Sequence, residues 1–207
     1  MYLDIKGLVT TAIGNLIDPV HLALNVPFVW PGGLRATRAE IQHEWQKVKS
    51  AKSLAKAGHH AAEHVSQLRL TDEGVEALVH KVLDQMHAEL VKRYPAFDSW
   101  PADAQMATLA MAWACGPGFG RTFKGLDAAL KRSDWKTAAT QCRIDDSQNP
   151  GVTPRNKAMK QLYFLAAALP CDAEELHWPA DGPVMQWQAQ RGLASDGIVG
   201  PKTLGAL

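Results

Sequence analysis

From Thr71 the stretch TDEGVEALVHKVLDQMHAEL places apolar residues at Val75, Leu78, Val79, Val82, Leu83, Met86 and Leu90, the 3.6-residue spacing of one helical face. Thr71 stands where an N-cap belongs, with Asp72 and Glu73 in the first turn, where negative charge suits the helix dipole. A second helix is predicted over about 102–114, with Met106, Leu109, Ala110 and Trp113 on one side and CGPGFG as its stop. Further helices are predicted over about 119–131, 135–142 and 155–169, with an earlier one from Thr37 to near Gly58. Only the opening is different: Val9, Thr10, Thr11, Ile13 and Leu16 favour extended chain, and the glycines among them favour turns. The pattern therefore predicts a mainly α chain of the α+β class, with a small N-terminal β-hairpin lobe followed by a helical lobe.

After Pro170 the composition changes to CDAEELHWPADGPV, and a short helix in VMQWQAQRGL and a last one in GPKTLGAL follow. Two domains are expected, 1–170 and 171–207, the second a small helical C-terminal module. With 22 basic and 21 acidic residues the net charge is +1, so no broad field attracts nucleic acid or an anionic membrane. No apolar run approaches the ~20 residues of a membrane span, and no signal-peptide pattern follows Met1. Three widely spaced cysteines, Cys115, Cys142 and Cys171, do not suggest a disulfide framework.

Two resemblances bring chemistry to this frame. The tail VMQWQAQRGLASDGIVGPKTLGAL resembles the second half of the peptidoglycan-binding domain type 1 family, through Gln186, Trp187, Gly192, Leu193, Asp196, Gly197, Gly200, Pro201, Thr203 and Leu207. Pro201 suits the first position of a helix, where its missing N–H has no partner to lose. That resemblance implies a wall-binding role for Trp178, Gln186, Trp187 and Asp196, and Trp178 and Trp187 are the tryptophans expected to face a glycan.

At the other end, YLDIKGLVTTAIGNL resembles the active-site hairpin of the T-even phage lysozymes and their relatives in glycoside hydrolase family 24, through Tyr2, Asp4, Gly7, Thr10, Ile13, Gly14 and Leu16. The likeness continues in LRLTDEGVEALVHKVLD, AMAWACGPGF, DWKTAATQC and TPRNKA, and a segment of about 17–67 is inserted after the hairpin. It implies a lysozyme-like fold and hydrolysis, with inversion, of the bond between N-acetylmuramic acid and N-acetylglucosamine. Asp4 would be the carboxylate that helps water attack, and Thr10 the hydroxyl that holds that water. Asn15 stands where the family usually has His, and Arg155, Asn156 and Lys157 stand at the start of a helix that faces the family's cleft. Either Arg155 or Lys157 takes the family's arginine role.

The family's general acid is a Glu about nine residues before the Asp, and only three residues precede Asp4. The chain is therefore expected to be a fragment with little lytic activity, or else a noncatalytic peptidoglycan-binding protein on a lysozyme scaffold. Glu40 and Glu44 are the candidates for a replacement acid. A third reading rests on HAAEH, where His60, Glu63 and His64 have the spacing of an inverted zinc-peptidase motif. The favoured reading needs no metal and no cofactor. It expects a monomer whose partner is peptidoglycan, acting at the cell wall or in the periplasm after delivery by a holin or a secretion system, with an immunity protein as a further partner.

Overall fold

The computed structural model describes residues 1–57, 59–62, 64–147, 149–169 and 176–207. It is mainly helical, with one small antiparallel sheet at the N-terminus. The chain divides into two compact units, Met1–Asp84 and Gln85–Leu207. The boundary expected at Pro170–Cys171 falls outside the described residues, and the tail beyond it shares the core of the second unit.

In the first unit β1 (Tyr2–Leu3), β2 (Val9–Thr11) and β3 (Asn15–Leu16) form a sheet in the order β1-β2-β3. Tyr2 pairs with Thr10 and Leu3 with Val9, and on the other side Thr10 pairs with Leu16 and Thr11 with Asn15. Gly7, at φ +73°, closes the first turn, a conformation that costs glycine little. Such short strands are not stable alone, and the segment 17–67 supplies what they lack. Leu3, Val9 and Ile17 of the sheet region share a buried cluster with Val26, Phe28, Ile41, Val48 and Leu68.

Four-residue α1 (Val20–Ala23) leads to α2 (Arg38–Ser50), which begins with a capping box between Thr37 and Glu40. α2 turns Ile41, Glu44 and Val48 inward, the i, i+3, i+7 stripe of a helix packed on one side. It ends at Ser50, short of the expected Gly58, and a 3₁₀ turn over Lys52–Lys56 takes over. That turn carries Ala55 onto the first unit's core.

Three contacts fasten α2 to the hairpin. Trp45 Nε1 donates to the Ile17 carbonyl at 2.9 Å, and Lys49 Nζ donates to the Gly7 carbonyl at 2.9 Å and to Asp18 Oδ2 at 2.6 Å. Asp18 Oδ2 also accepts from the Val9 N–H at 3.0 Å. Burial works against the Asp18 charge, but the Lys49 ammonium and the Val9 N–H outweigh it and hold the carboxyl below its ordinary range.

α3 (Asp72–Arg93) contains the division between the units and is capped by Thr71, whose hydroxyl accepts from the Gly74 N–H at 3.1 Å. Its predicted stripe is half-buried, and only Leu90 is fully buried. The second unit continues with α4 (Ala102–Cys115), α5 (Lys124–Leu130), α6 (Trp135–Gln141), α7 (Thr153–Ala168), α8 (Asp181–Gln190) and α9 (Pro201–Gly205). The helix expected over 119–131 is a 3₁₀ turn at Phe119–Arg121 followed by α5.

α4 is rotated from the expected orientation. Its buried face is Ala104, Ala107, Thr108, Met111 and Ala112, while Met106 is 41% exposed. Small side chains allow helices to approach closely, and α4 packs along α7 on this alanine face. Thr108 bridges the pair, donating to the Ala104 carbonyl and sharing a 2.9 Å hydrogen bond with the Tyr163 hydroxyl.

The tail docks on α7. Trp187, 1% exposed, meets Phe164 edge to face at 4.7 Å between ring centroids. Gln161 Nε2 donates to the Gly197 carbonyl at 2.7 Å.

Asp18→Asn is expected to lower stability at pH 7 by about 1–2 kcal/mol, the range of a partly buried charge-assisted hydrogen bond. The native pKa is depressed, so this contribution is present above the unfolded value of about 3.9 and is lost as pH falls through the folded value. Urea unfolding at several pH values should show the gap between Asp18→Asn and the parent closing in acid. A gap independent of pH would remove the carboxylate from this role.

Candidate functional site

Because cross-strand partners share a face of a sheet, the register puts Tyr2, Thr10 and Leu16 on one side, and Leu3, Val9, Thr11 and Asn15 on the other. Asp4 follows directly on β1, at the start of the turn that leads to β2. The turn holds it tightly: Asp4 Oδ1 accepts from the Lys6 N–H and the Leu8 N–H, each at 2.8 Å, and the Asp4 N–H donates to the Leu8 carbonyl at 2.9 Å. The second carboxylate oxygen has no hydrogen-bond partner among the described residues. The Asp4 charge is near enough to Tyr2 to join burial in raising that phenol's pKa.

Thr10 lies in the middle of its face, between Tyr2 and Leu16, and is only 4% exposed. Its hydroxyl donates to the Leu8 carbonyl at 3.3 Å. Leu16 on this face and Ile5 in the turn are exposed apolar residues. Asp4 and Thr10 thus lie on either side of the first turn, and Asn15 is on the face opposite Thr10. The Asn15 side chain is buried with neither Nδ2 nor Oδ1 hydrogen-bonded.

A cavity of about 410 Å³ opens beside the hairpin, lined by Tyr2, Thr11, Ala12, Phe28, Arg69 and Val75 among others. Neither Asp4 nor Thr10 lines it.

Neither candidate replacement acid is available to give up a proton. Glu40 accepts from the Thr37 N–H at 2.7 Å and from its hydroxyl at 2.8 Å, which holds its carboxyl below the ordinary range. Glu44 is 2% exposed; burial opposes its charge, but Lys47, the Gln67 N–H at 3.1 Å and Ser66 together still depress its pKa. A general acid at neutral pH needs the opposite shift. Both residues serve α2, Glu40 as its cap and Glu44 as its tie to the chain at Ser66–Gln67.

In the second unit the three residues at the start of α7 part company. Asn156 accepts from the Ile144 N–H at 2.9 Å and donates to the Ile144 carbonyl at 2.8 Å, so its amide clips a loop. Lys157 pairs with Asp181 at 2.6 Å and so ties α7 to the first turn of α8. Arg155 Nη1 donates to the Ala110 carbonyl at 3.1 Å, and its other N–H groups find no acceptor among the described residues. Arg155 lines a second cavity of about 510 Å³, together with Met106, Met159, Leu162, Leu176 and Trp178.

The tail residues divide in the same way. Trp178 is 60% exposed, but Trp187 is a core residue with the Arg191 guanidinium 3.9 Å from its ring centroid, so it offers no free face to a glycan. Gln186 is exposed, and Asp196 turns back on its own loop, accepting from the Ile198 N–H at 2.8 Å and from Gln188 at 3.1 Å.

Gln188 itself escaped the sequence reading. It is buried, accepts from the Gly197 N–H at 3.0 Å and directs its Nε2 at Asp196, the Ile198 carbonyl and Thr203. Its place one residue after the inward-facing Trp187, in a helix closed by a Gly-rich turn, was the available signal. The buried Asp103, which grips His177, was equally unforeseen.

Of the HAAEH motif, Glu63 and the His60 side chain lie outside the described residues, and His64 is exposed. No group of three His, Cys, Asp or Glu residues suited to a metal ion occurs among the described residues. No helix among them is long and apolar enough to cross a membrane. Comparison of the chain with protein-family models, with curated proteins and with solved structures finds no match.

Asn15→Leu should raise stability in urea unfolding by about 1 kcal/mol, since an unpaired buried amide costs ~1–3 kcal/mol. A loss of stability would mean that the amide is satisfied in solution.

Proposed function

We propose that the hairpin is the water-activating half of a glycoside hydrolase centre acting on the bond between N-acetylmuramic acid and N-acetylglucosamine in peptidoglycan. One observation carries this reading: two backbone N–H groups fix Asp4 Oδ1 in the turn beside the strand that carries Thr10, and the other carboxylate oxygen has no hydrogen-bond partner among the described residues. A carboxylate aimed by its backbone is oriented before substrate arrives, and the free oxygen can take a proton from an attacking water.

With inversion, that water approaches the anomeric carbon from the side opposite the leaving oxygen, and Asp4 draws off its proton as the bond forms. Thr10 assists from the centre of the sheet once the face is occupied. The leaving oxygen needs a proton from another group, and Glu40 and Glu44 are excluded by their hydrogen bonds. A general acid contributes about 10²–10⁴-fold, and with Glu40 and Glu44 engaged elsewhere slow turnover is expected.

The hydrogen bonds that engage Glu40 and Glu44 favour a second reading, in which the scaffold binds the wall without cutting it. The sequence resemblance to wall-active families supports both readings, and both place the protein at the cell wall.

The two separate on purified sacculi. The hydrolase reading expects slow release of new reducing ends, falling at least about tenfold further in Asp4→Asn, whose amide cannot accept the proton. Retention on sacculi with no reducing ends from the parent chain would establish the binding protein. Equal rates for the parent and Asp4→Asn would remove Asp4 from the mechanism.

A further inference from the structure

The second cavity has a composition that selects its occupant. Its floor is the strip of α4 that the alanine face leaves outside, Met106 and Ala110, together with Met159 and Leu162 of α7. Leu176 and Trp178 form a wall, and Arg155 is the one charged residue among the described residues of the lining. Three of these side chains stay substantially exposed: Met106 at 41%, Leu176 at 38% and Trp178 at 60%.

The wall is held in place. Asp103, fully buried in the first turn of α4, accepts from the His177 N–H at 2.9 Å through Oδ1, and its Oδ2 meets His177 Nδ1 at 2.7 Å. His177 lies between Leu176 and Trp178, so one carboxylate grips the residue that joins the two wall side chains. Arg155 is aimed in the same way by its bond to the Ala110 carbonyl. Groups oriented in advance lose less freedom on binding.

We propose that this groove binds the peptide stem of the wall polymer, with small apolar residues along the floor and a carboxylate at Arg155. A cavity of about 510 Å³ suits a short peptide. Guanidinium and carboxylate form the strong, often bidentate pair that a lone Arg at an apolar rim is suited to make. A glycan fits poorly, because its many hydroxyls would lose water against an apolar floor that gives back few hydrogen bonds. The choice of this peptide rests on the reading of the protein as wall-active; the apolar, acid-bearing chemistry rests on the groove alone.

The experiment is calorimetric titration of the full chain with three probes: the synthetic stem pentapeptide, the same peptide with its carboxylates amidated, and chitotetraose. Binding of the free-acid peptide is expected, at least about tenfold weaker for the amidated form and undetectable for chitotetraose. Arg155→Gln should bring the free acid down to the amidated level, and Arg155→Lys should recover part of the loss. Met106→Glu, at an exposed site, should abolish binding while the unfolding midpoint stays within about two degrees of the parent, which guards against misfolding.

Equal binding of acid and amide, tighter binding of chitotetraose, or no peptide binding at millimolar concentration would overturn the proposal. The hydrolase reading stands or falls separately. Peptide binding without release of reducing ends upholds the groove and removes the hydrolase, and the reverse pair of results removes the groove.

Discussion

Strands of two and three residues cannot hold a sheet in water, so the hairpin exists only because another element grips it. The grip is the Lys49 ammonium, which joins the Gly7 carbonyl of the first turn to the Asp18 carboxylate, while that carboxylate also takes the Val9 N–H. A single cation thus ties the turn, the middle strand and the exit of the sheet to one helix. Everything proposed for Asp4 depends on this, because the turn that aims Asp4 is the turn whose carbonyl Lys49 holds. The inserted segment is the hairpin's missing core, and the requirement to fill it explains why α2 turns Ile41 and Val48 inward and why Glu44, caught among them, is spent on structure.

The second unit obeys a different constraint. Alanine at 104, 107 and 112 lets α4 lie close along α7, and the larger Met106 is thereby left on the outer side. The same rotation that builds the core therefore builds the groove. Buried polar groups then fix the tail: Gln161 and Gln188 each satisfy backbone atoms near Gly197, and Asp103 fixes the chain at His177. Buried polar groups with full complements of partners specify one arrangement more sharply than apolar contacts do. The tail is in this sense part of the second unit's core, and Trp187 belongs to that core.

The hairpin that carries Asp4 and Thr10 was legible in the sequence. Asp4 and Thr10 lie six residues apart around a glycine turn, and a hairpin at that spacing keeps them on adjoining arms of the chain. The predicted helix start at Thr71 follows equally from local chemistry, since a side-chain oxygen needs only the N–H three residues on. The fates of Asn156, Lys157 and Asp196 were not legible. Each has a partner chosen by the fold, namely Ile144, Asp181 and Gln188, and nothing within a few residues of a polar side chain announces whether its hydrogen bonds will be used up far away.

The sequence by itself therefore determined what acts over a turn or two of chain: the mainly helical class, the N-terminal hairpin and the helix caps. Tertiary structure alone decided which side of α4 is buried, that Trp187 is core while Trp178 faces out, and that Glu40 and Glu44 are structural. The physical reason is the range of the forces. Periodicity and capping are settled by neighbours along the chain, whereas burial and the pairing of a polar group are settled by whichever surface packs against it.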